Sequence, residues 1–227
     1  MSNFLTLLHR LTLPDAKIAS RYELGNPIAA YITKIYDGDT ITVKFYQFNN
    51  MVYQESIRIE GIDTPEICVR DKMNKFSNLE ELTGRYVRDY VRELAKNGNN
   101  NCYINIKSLD DKYGRPICQV YLDQQQYPIN KCPKLEECLH LNQHLLDKGY
   151  AKPYNGGTKD PFTPSELLSI IGADNGFHTI DWDYRHRDFM LCAGEVVNHY
   201  KSISNNVYLN EMINKMRSLG LYYQDIL

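Results

Sequence analysis

The sequence predicts an α+β fold, a small five-stranded β-barrel with helices, followed by a helical C-terminal extension. Three observations predict it. Apolar residues alternate with period two up to residue 62, switch to helical spacing from Leu79 to Leu94, and return to period two between residues 102 and 122. After Asn155-Gly156-Gly157 only helical spacing recurs.

Residues 28–36 and 40–46 read as the first two strands, with Ile41, Val43 and Phe45 alternating against Thr40, Thr42 and Lys44. Asp37-Gly38-Asp39 is the turn between them. A third strand covers 51–62, with Ile57 and Ile59 on one face and Arg58 and Glu60 on the other. Leu79, Leu82, Tyr86, Val87, Tyr90, Val91 and Leu94 then form one helix face, opened by a capping box of Ser77 and Glu80 and ended at Asn97-Gly98. Strands at 102–109 and 116–122 flank the turn Asp110 to Arg115, and a helix at 137–148 stops at Gly149. Barrels of the OB type have this order of elements and expose loops and one face to oligonucleotides. The polar stretch Gln124–Cys138, with Pro128 and Pro133, reads as an inserted loop.

Three units follow: an N-terminal extension at 1–27, the barrel domain at 28–157, and a helical extension at 158–227. In the last, Thr163-Pro164-Ser165-Glu166 is a capping box that opens a short helix stopping at Gly172. Phe189, Ala193, Val197 and Tyr200 line one later face, and Met212, Ile213, Met216 and Leu219 another, which leaves three uses of the extension open: capping the barrel, limiting access to the site, or self-association through these helices. Leu5, Leu8 and Leu11 suit a short helix that packs on the domain. Phe4–Leu8 lacks the positive flank and length of a signal peptide, and no run of about 18 apolar residues suits a membrane span.

With 26 Lys and Arg against 28 Asp and Glu, the net charge of −2 excludes a chain that coats nucleic acid or acidic membranes nonspecifically. The acidic surplus lies after residue 159, and the stretch before it holds a small basic surplus. Six Cys without a CxxC pair are too sparse for a disulfide scaffold and match no zinc pattern, so reduced thiols in an intracellular compartment are expected. Cys102, Cys118 and Cys192 sit in apolar patterns and read as core. His140 and His144, four apart, have metal-compatible spacing but no evident third ligand, and Tyr184–Arg187 reads as a solvated helix start.

The residues suited to chemistry are acidic and cationic together. Asp37 and Asp39 sit at one turn, and Asp63 and Glu66 follow the third strand in Gly61-Ile62-Asp63-Thr64-Pro65-Glu66. Carboxylates at strand ends suit a hard divalent cation such as Ca²⁺, although Asp-Gly and Asp-Thr-Pro are also ordinary turn chemistry. Arg58 and Arg115 are suited to gripping phosphate in a bidentate fork, although a lone arginine commonly forms only a surface ion pair.

Taken together, these residues resemble the staphylococcal nuclease family, the thermonuclease-like phosphodiesterases. Tyr36-Asp37-Gly38-Asp39-Thr40, Arg58 through Asp63-Thr64-Pro65-Glu66, and Asp111-Lys112-Tyr113-Gly114-Arg115 match its three motifs in order. Asn142 through Gly149-Tyr150-Ala151-Lys152 resembles its closing helix and the segment after it, so the resemblance covers roughly residues 28–155. It implies an OB-type barrel and Ca²⁺-dependent hydrolysis of DNA and RNA. Asp39 and Asp63 then resemble the carboxylate ligands of Ca²⁺, Thr64 contributes its backbone carbonyl, and Asp37 supports them. Glu66 resembles the general base or the group that positions the attacking water, and Arg58 and Arg115 the guanidinium groups on the scissile phosphate. Lys112 and Tyr113 match positions that contact a terminal phosphate, and Tyr154 is the nearest candidate to stack on a base. The stretch Gln47–Tyr53 departs from the family as an enlargement, and so does everything after about residue 160. The alternative is a catalytically silent OB-type module that binds nucleic acid or a protein.

Overall fold

The computed structural model of the chain describes residues 24–47, 51–69, 77–109, 111–124 and 134–172, together with Asn214. The N-terminal helix expected around Leu5, most of the insert at 124–138, Cys192, the segment Tyr184–Arg187 and the two later helical faces lie outside the described residues.

The chain builds β1 (Pro27–Ile35), β2 (Thr40–Gln47), β3 (Met51–Ile59), the short β4 (Ile62–Asp63), α1 (Ser77–Asn97), β5 (Asn101–Ser108) and β6 (Ile117–Leu122). The two-residue β7 (Leu139–His140), α2 (Leu141–Asp147), the two-residue β8 (Lys152–Pro153) and α3 (Pro164–Gly172) follow. The sheet runs β3-β2-β1-β5-β6, and β3 also pairs with β6 in parallel through Arg58 with Ile117 and Ile59 with Cys118. That pairing closes a five-stranded mixed barrel, so the expected OB-like α+β class is observed. Irregular register between Ile32 and Lys34 and between Ile106 and Ser108 marks bulges of the kind that bend strands around a barrel.

Alternation explains the core. Ile41, Val43 and Phe45 of β2 point inward with Ile57 and Ile59 of β3, Ile104 and Ile106 of β5, and Cys118, Val120 and Leu122 of β6. Val87, Val91 and Ala95 of α1 and Leu141 and Leu145 of α2 join the same cluster. Each fully buried large aliphatic side chain contributes roughly 1.5–3 kcal/mol. The described helix α3 adds Ile170 to that cluster, and its Thr163–Glu166 capping box forms with Glu166 Oε2 2.7 Å from the Thr163 amide. Among the described residues no helix is long and apolar enough to cross a membrane.

Two expected elements are corrected. The third strand does not run unbroken to residue 62: Glu60 and Gly61 turn, with Gly61 at φ +75°, and Ile62–Asp63 pair instead with Lys152–Pro153. The helix expected at 137–148 is shorter, because Leu139 and His140 pair with Leu122 and Tyr121 at the edge of β6 before the chain turns helical at Leu141. His140 therefore stacks on Tyr121, while His144 bonds to the Tyr90 hydroxyl at 2.7 Å, so the two histidines do not act as a pair.

Candidate active site

The turn between β1 and β2 is closed by the Tyr36 amide donating to the Thr40 carbonyl at 3.0 Å, and the Asp39 amide donates to Asp37 Oδ1 at 3.1 Å. Gly38 is required by a close approach: a Cβ there would lie 2.6 Å from Val87 of α1 and 2.8 Å from the Thr64 methyl. Asp39 ties this turn to the next one. Its Oδ2 accepts from the Thr64 amide at 3.0 Å and the Thr64 hydroxyl at 3.2 Å. Asp37, Asp39, Asp63 and Thr64 are thereby gathered, all buried, at one end of the barrel.

Arg58 completes the junction. Alternation alone would give the guanidinium a solvent-facing position, yet it is 6% exposed. One arm pairs with Asp39 Oδ1 and bonds to the Asp39 carbonyl at 3.2 Å; the other bonds to the Ile62 carbonyl at 2.8 Å and Asp63 Oδ1 at 3.4 Å. The planar fork thus reads both acidic turns at once. The Tyr154 ring lies 5.7 Å from the guanidinium carbon.

The segment carrying Asp63–Glu66 is set by α1. Glu80, in the first turn of the helix, reaches this segment, its Oε1 accepting from the Glu66 amide at 3.4 Å. Gly84, one turn later, lets the helix backbone come close, since a Cβ there would sit 2.5 Å from the Pro65 carbonyl oxygen and 2.6 Å from that of Glu66. Gly84→Ala gains about 1 kcal/mol of helix propensity but forces backbone apart at a cost of about 1–3 kcal/mol. The expected outcome is a net loss of stability in chemical denaturation, with a larger effect on any reaction that depends on the position of Glu66.

Arg115 reaches the same end from the turn before β6. Its Nε and Nη2 fork onto Asp111 at 2.9 and 3.2 Å, and its Nη1 donates to the Thr40 hydroxyl at 3.2 Å. Burial works against ionisation of Asp111, but the Arg115 fork and the Tyr113 amide outweigh it and hold that carboxyl below its usual range. Lys112 and Tyr113 are exposed on this turn, and the Tyr113 ring lies 5.2 Å from the Arg115 guanidinium carbon. Asp37, Asp39, Arg58, Glu66, Lys112, Tyr113, Arg115 and Tyr154 all line one open cleft of about 1240 Å³.

Two residues of the cleft had no role in the sequence. Tyr36 presents a half-exposed ring at its edge. Lys159 reaches in from the loop after β8, its ammonium 2.6 Å from Asp63 Oδ1 and 2.5 Å from Glu66 Oε1. The only sequence signal for Lys159 is its place just past Asn155-Gly156-Gly157, a turn that returns the chain toward the site.

The donors suit a hard cation. Burial first, and then the charge of Asp39, push the Asp37 carboxyl up to about 7, so the cluster gains by added positive charge. The Lys159 ammonium already shows that Asp63 and Glu66 converge on a positive charge. Among the described residues no three His, Cys, Asp or Glu side chains form a chelating group, so an ion would draw on Asp39 and Asp63 with a backbone carbonyl and water. No protein-family model matches the chain, and no curated protein does.

Proposed function

We propose that the chain is a Ca²⁺-dependent nuclease that hydrolyses phosphodiester bonds of DNA and RNA with little sequence specificity, as its resemblance to the staphylococcal nuclease family implies. The observation that carries this reading is the meeting of Asp39, Glu66, Arg58 and Arg115 around one open cleft at one end of the barrel, with buried Asp63 paired to Arg58 beside it. A phosphodiester repels nucleophiles through its own charge, so its hydrolysis needs cationic neutralisation and a group that activates water.

Asp39 and Asp63, with the Thr64 carbonyl, would hold the divalent ion, whose chemistry is to neutralise the phosphate and lower the barrier to attack. Asp37 supports Asp39 through the hydrogen bond to the Asp39 amide. Glu66 stands at the cleft edge, open to water, as the base or water-positioning carboxylate. Arg58 and Arg115 supply planar donors for the non-bridging oxygens, where charge grows during attack. Lys112 and Tyr113 suit a neighbouring phosphate, and Tyr154 a base, for which stacking contributes roughly 1–3 kcal/mol.

Incubating the full chain with a labelled single-stranded DNA and a matching RNA, with Ca²⁺ and with chelator, tests the reading. Cleavage of both substrates with Ca²⁺, lost on chelation and restored by added Ca²⁺, is the expected result. Intact substrates at saturating Ca²⁺ would overturn it.

A further inference from the structure

The structure points to an exchange of cations at the acidic cleft: we propose that the Lys159 ammonium is the resident counter-cation of Asp63 and Glu66, and that a divalent ion binds by displacing it. This rests on the reading of Asp39 and Asp63 as ligands of that ion.

Among the described residues three cationic side chains meet the acidic cluster, and they are held differently. Arg58 is buried and bonded to the backbone carbonyls of Asp39 and Ile62 as well as to carboxylates. Arg115 is forked onto Asp111, and its third arm holds the Thr40 hydroxyl. Lys159 has neither kind of anchor. Among the described residues its ammonium is bonded only to Asp63 and Glu66, and its side chain is 37% exposed. An ammonium is a compact charge on a flexible stem, so it leaves a site by rotation where a forked guanidinium must break several bonds.

The two cations compete for Asp63, whose Oδ1 already meets Arg58 at 3.4 Å. A divalent ion on that carboxylate would stand close to an ammonium already 2.6 Å from the same oxygen, and like charges at such range repel strongly. The loop itself need not move. The Tyr154 hydroxyl donates to the Gly157 carbonyl at 2.9 Å, and the Tyr154 amide donates to the Gly61 carbonyl at 2.9 Å, which fixes the path of the chain just before Lys159. In the ion-free state the lysine offsets repulsion among Asp63, Glu66 and the nearby Asp39. On ion binding the freed ammonium stays at the cleft rim, where it lines the path of a polyanion.

Calorimetric titration of Ca²⁺ into the full chain tests the exchange, with Lys159→Met compared against the natural sequence. Lys152→Met serves as the charge control, because Lys152 pairs with Glu166 at 2.8 Å and does not line the cleft. Removing the competitor is expected to tighten Ca²⁺ binding about tenfold in Lys159→Met, the scale of one partly buried ion pair, and to leave Lys152→Met unchanged. Affinity in Lys159→Met no tighter than in the natural chain would overturn the proposal.

A second measurement needs no variant. Amine acetylation read by mass spectrometry is expected to be slow at Lys159 without Ca²⁺ and several-fold faster at saturating Ca²⁺; labelling that ignores the ion would equally overturn it. The outcomes separate this proposal from the nuclease reading. Ca²⁺-dependent hydrolysis with unaltered Lys159→Met affinity removes the exchange alone, and tighter binding in that variant without hydrolysis removes the nuclease alone. Absence of Ca²⁺ binding in every form removes both.

Discussion

Arg58→Ala is expected to lose hydrolysis by on the order of 10²-fold or more and, unlike most surface changes, to lower the stability of the fold by about 3 kcal/mol. The two losses have separate causes. On the nuclease reading, hydrolysis loses a guanidinium that lines the cleft where charge would grow on the phosphoryl oxygens. Stability falls because Asp39 and Asp63, each buried, are left without the guanidinium that pairs them, and the carbonyls of Asp39 and Ile62 lose their donor. Urea denaturation and single-turnover cleavage on the same preparation measure both. Arg58→Lys refines the result, since an ammonium restores one positive charge but cannot span both turns as the fork does. Arg58→Ala with native stability would contradict the buried pairing, and undiminished cleavage would remove Arg58 from the site.

Glu66→Gln is expected to show the opposite profile, a fall in kcat on the order of 10²-fold with stability changed by less than about 0.5 kcal/mol. The Glu66 side chain is 41% exposed, and among the described residues its charged partner is the Lys159 ammonium. An amide of the same shape keeps the hydrogen-bond reach but cannot take a proton from water. A KM close to that of the natural chain is part of the expectation, because a group acting only in the transition state does not hold the ground-state substrate. A kcat within threefold or so would leave Glu66 as a mere neighbour of Lys159.

Much of this architecture was legible in the chain because it is encoded at short range. Ile41, Val43 and Phe45 alternate along one strand, and Asp37-Gly38-Asp39 turns where a hairpin needs it. The three motifs named the cluster of acids and arginines that the fold gathers. What stayed hidden depends on residues far apart. Leu139 and His140 look helical from their own neighbours, yet the open edge of β6 offers them backbone partners, and that pairing overrides local spacing. Period two puts Arg58 opposite the core, and only the folded loops bury it. Lys159 meets Glu66 across 93 positions, a distance over which a lone lysine gives no sequence signal. Gly84 likewise reads as a flaw in a helix until the Pro65 carbonyl appears against it.

The parallel contact between β3 and β6 has a kinetic side. Arg58 donates its amide to the Pro116 carbonyl at 2.9 Å, so the strand that carries one arginine is latched beside the turn that carries the other. Hairpins between neighbouring strands form early because their loops are short, whereas this latch joins segments nearly sixty residues apart and closes an expensive loop. The pair of guanidinium groups is therefore assembled by the same event that turns an open sheet into a barrel. A chain still emerging from synthesis, or one caught half folded, has its hairpins and its acids but not its paired arginines, so on the proposed nuclease reading it stays inactive until the fold is whole.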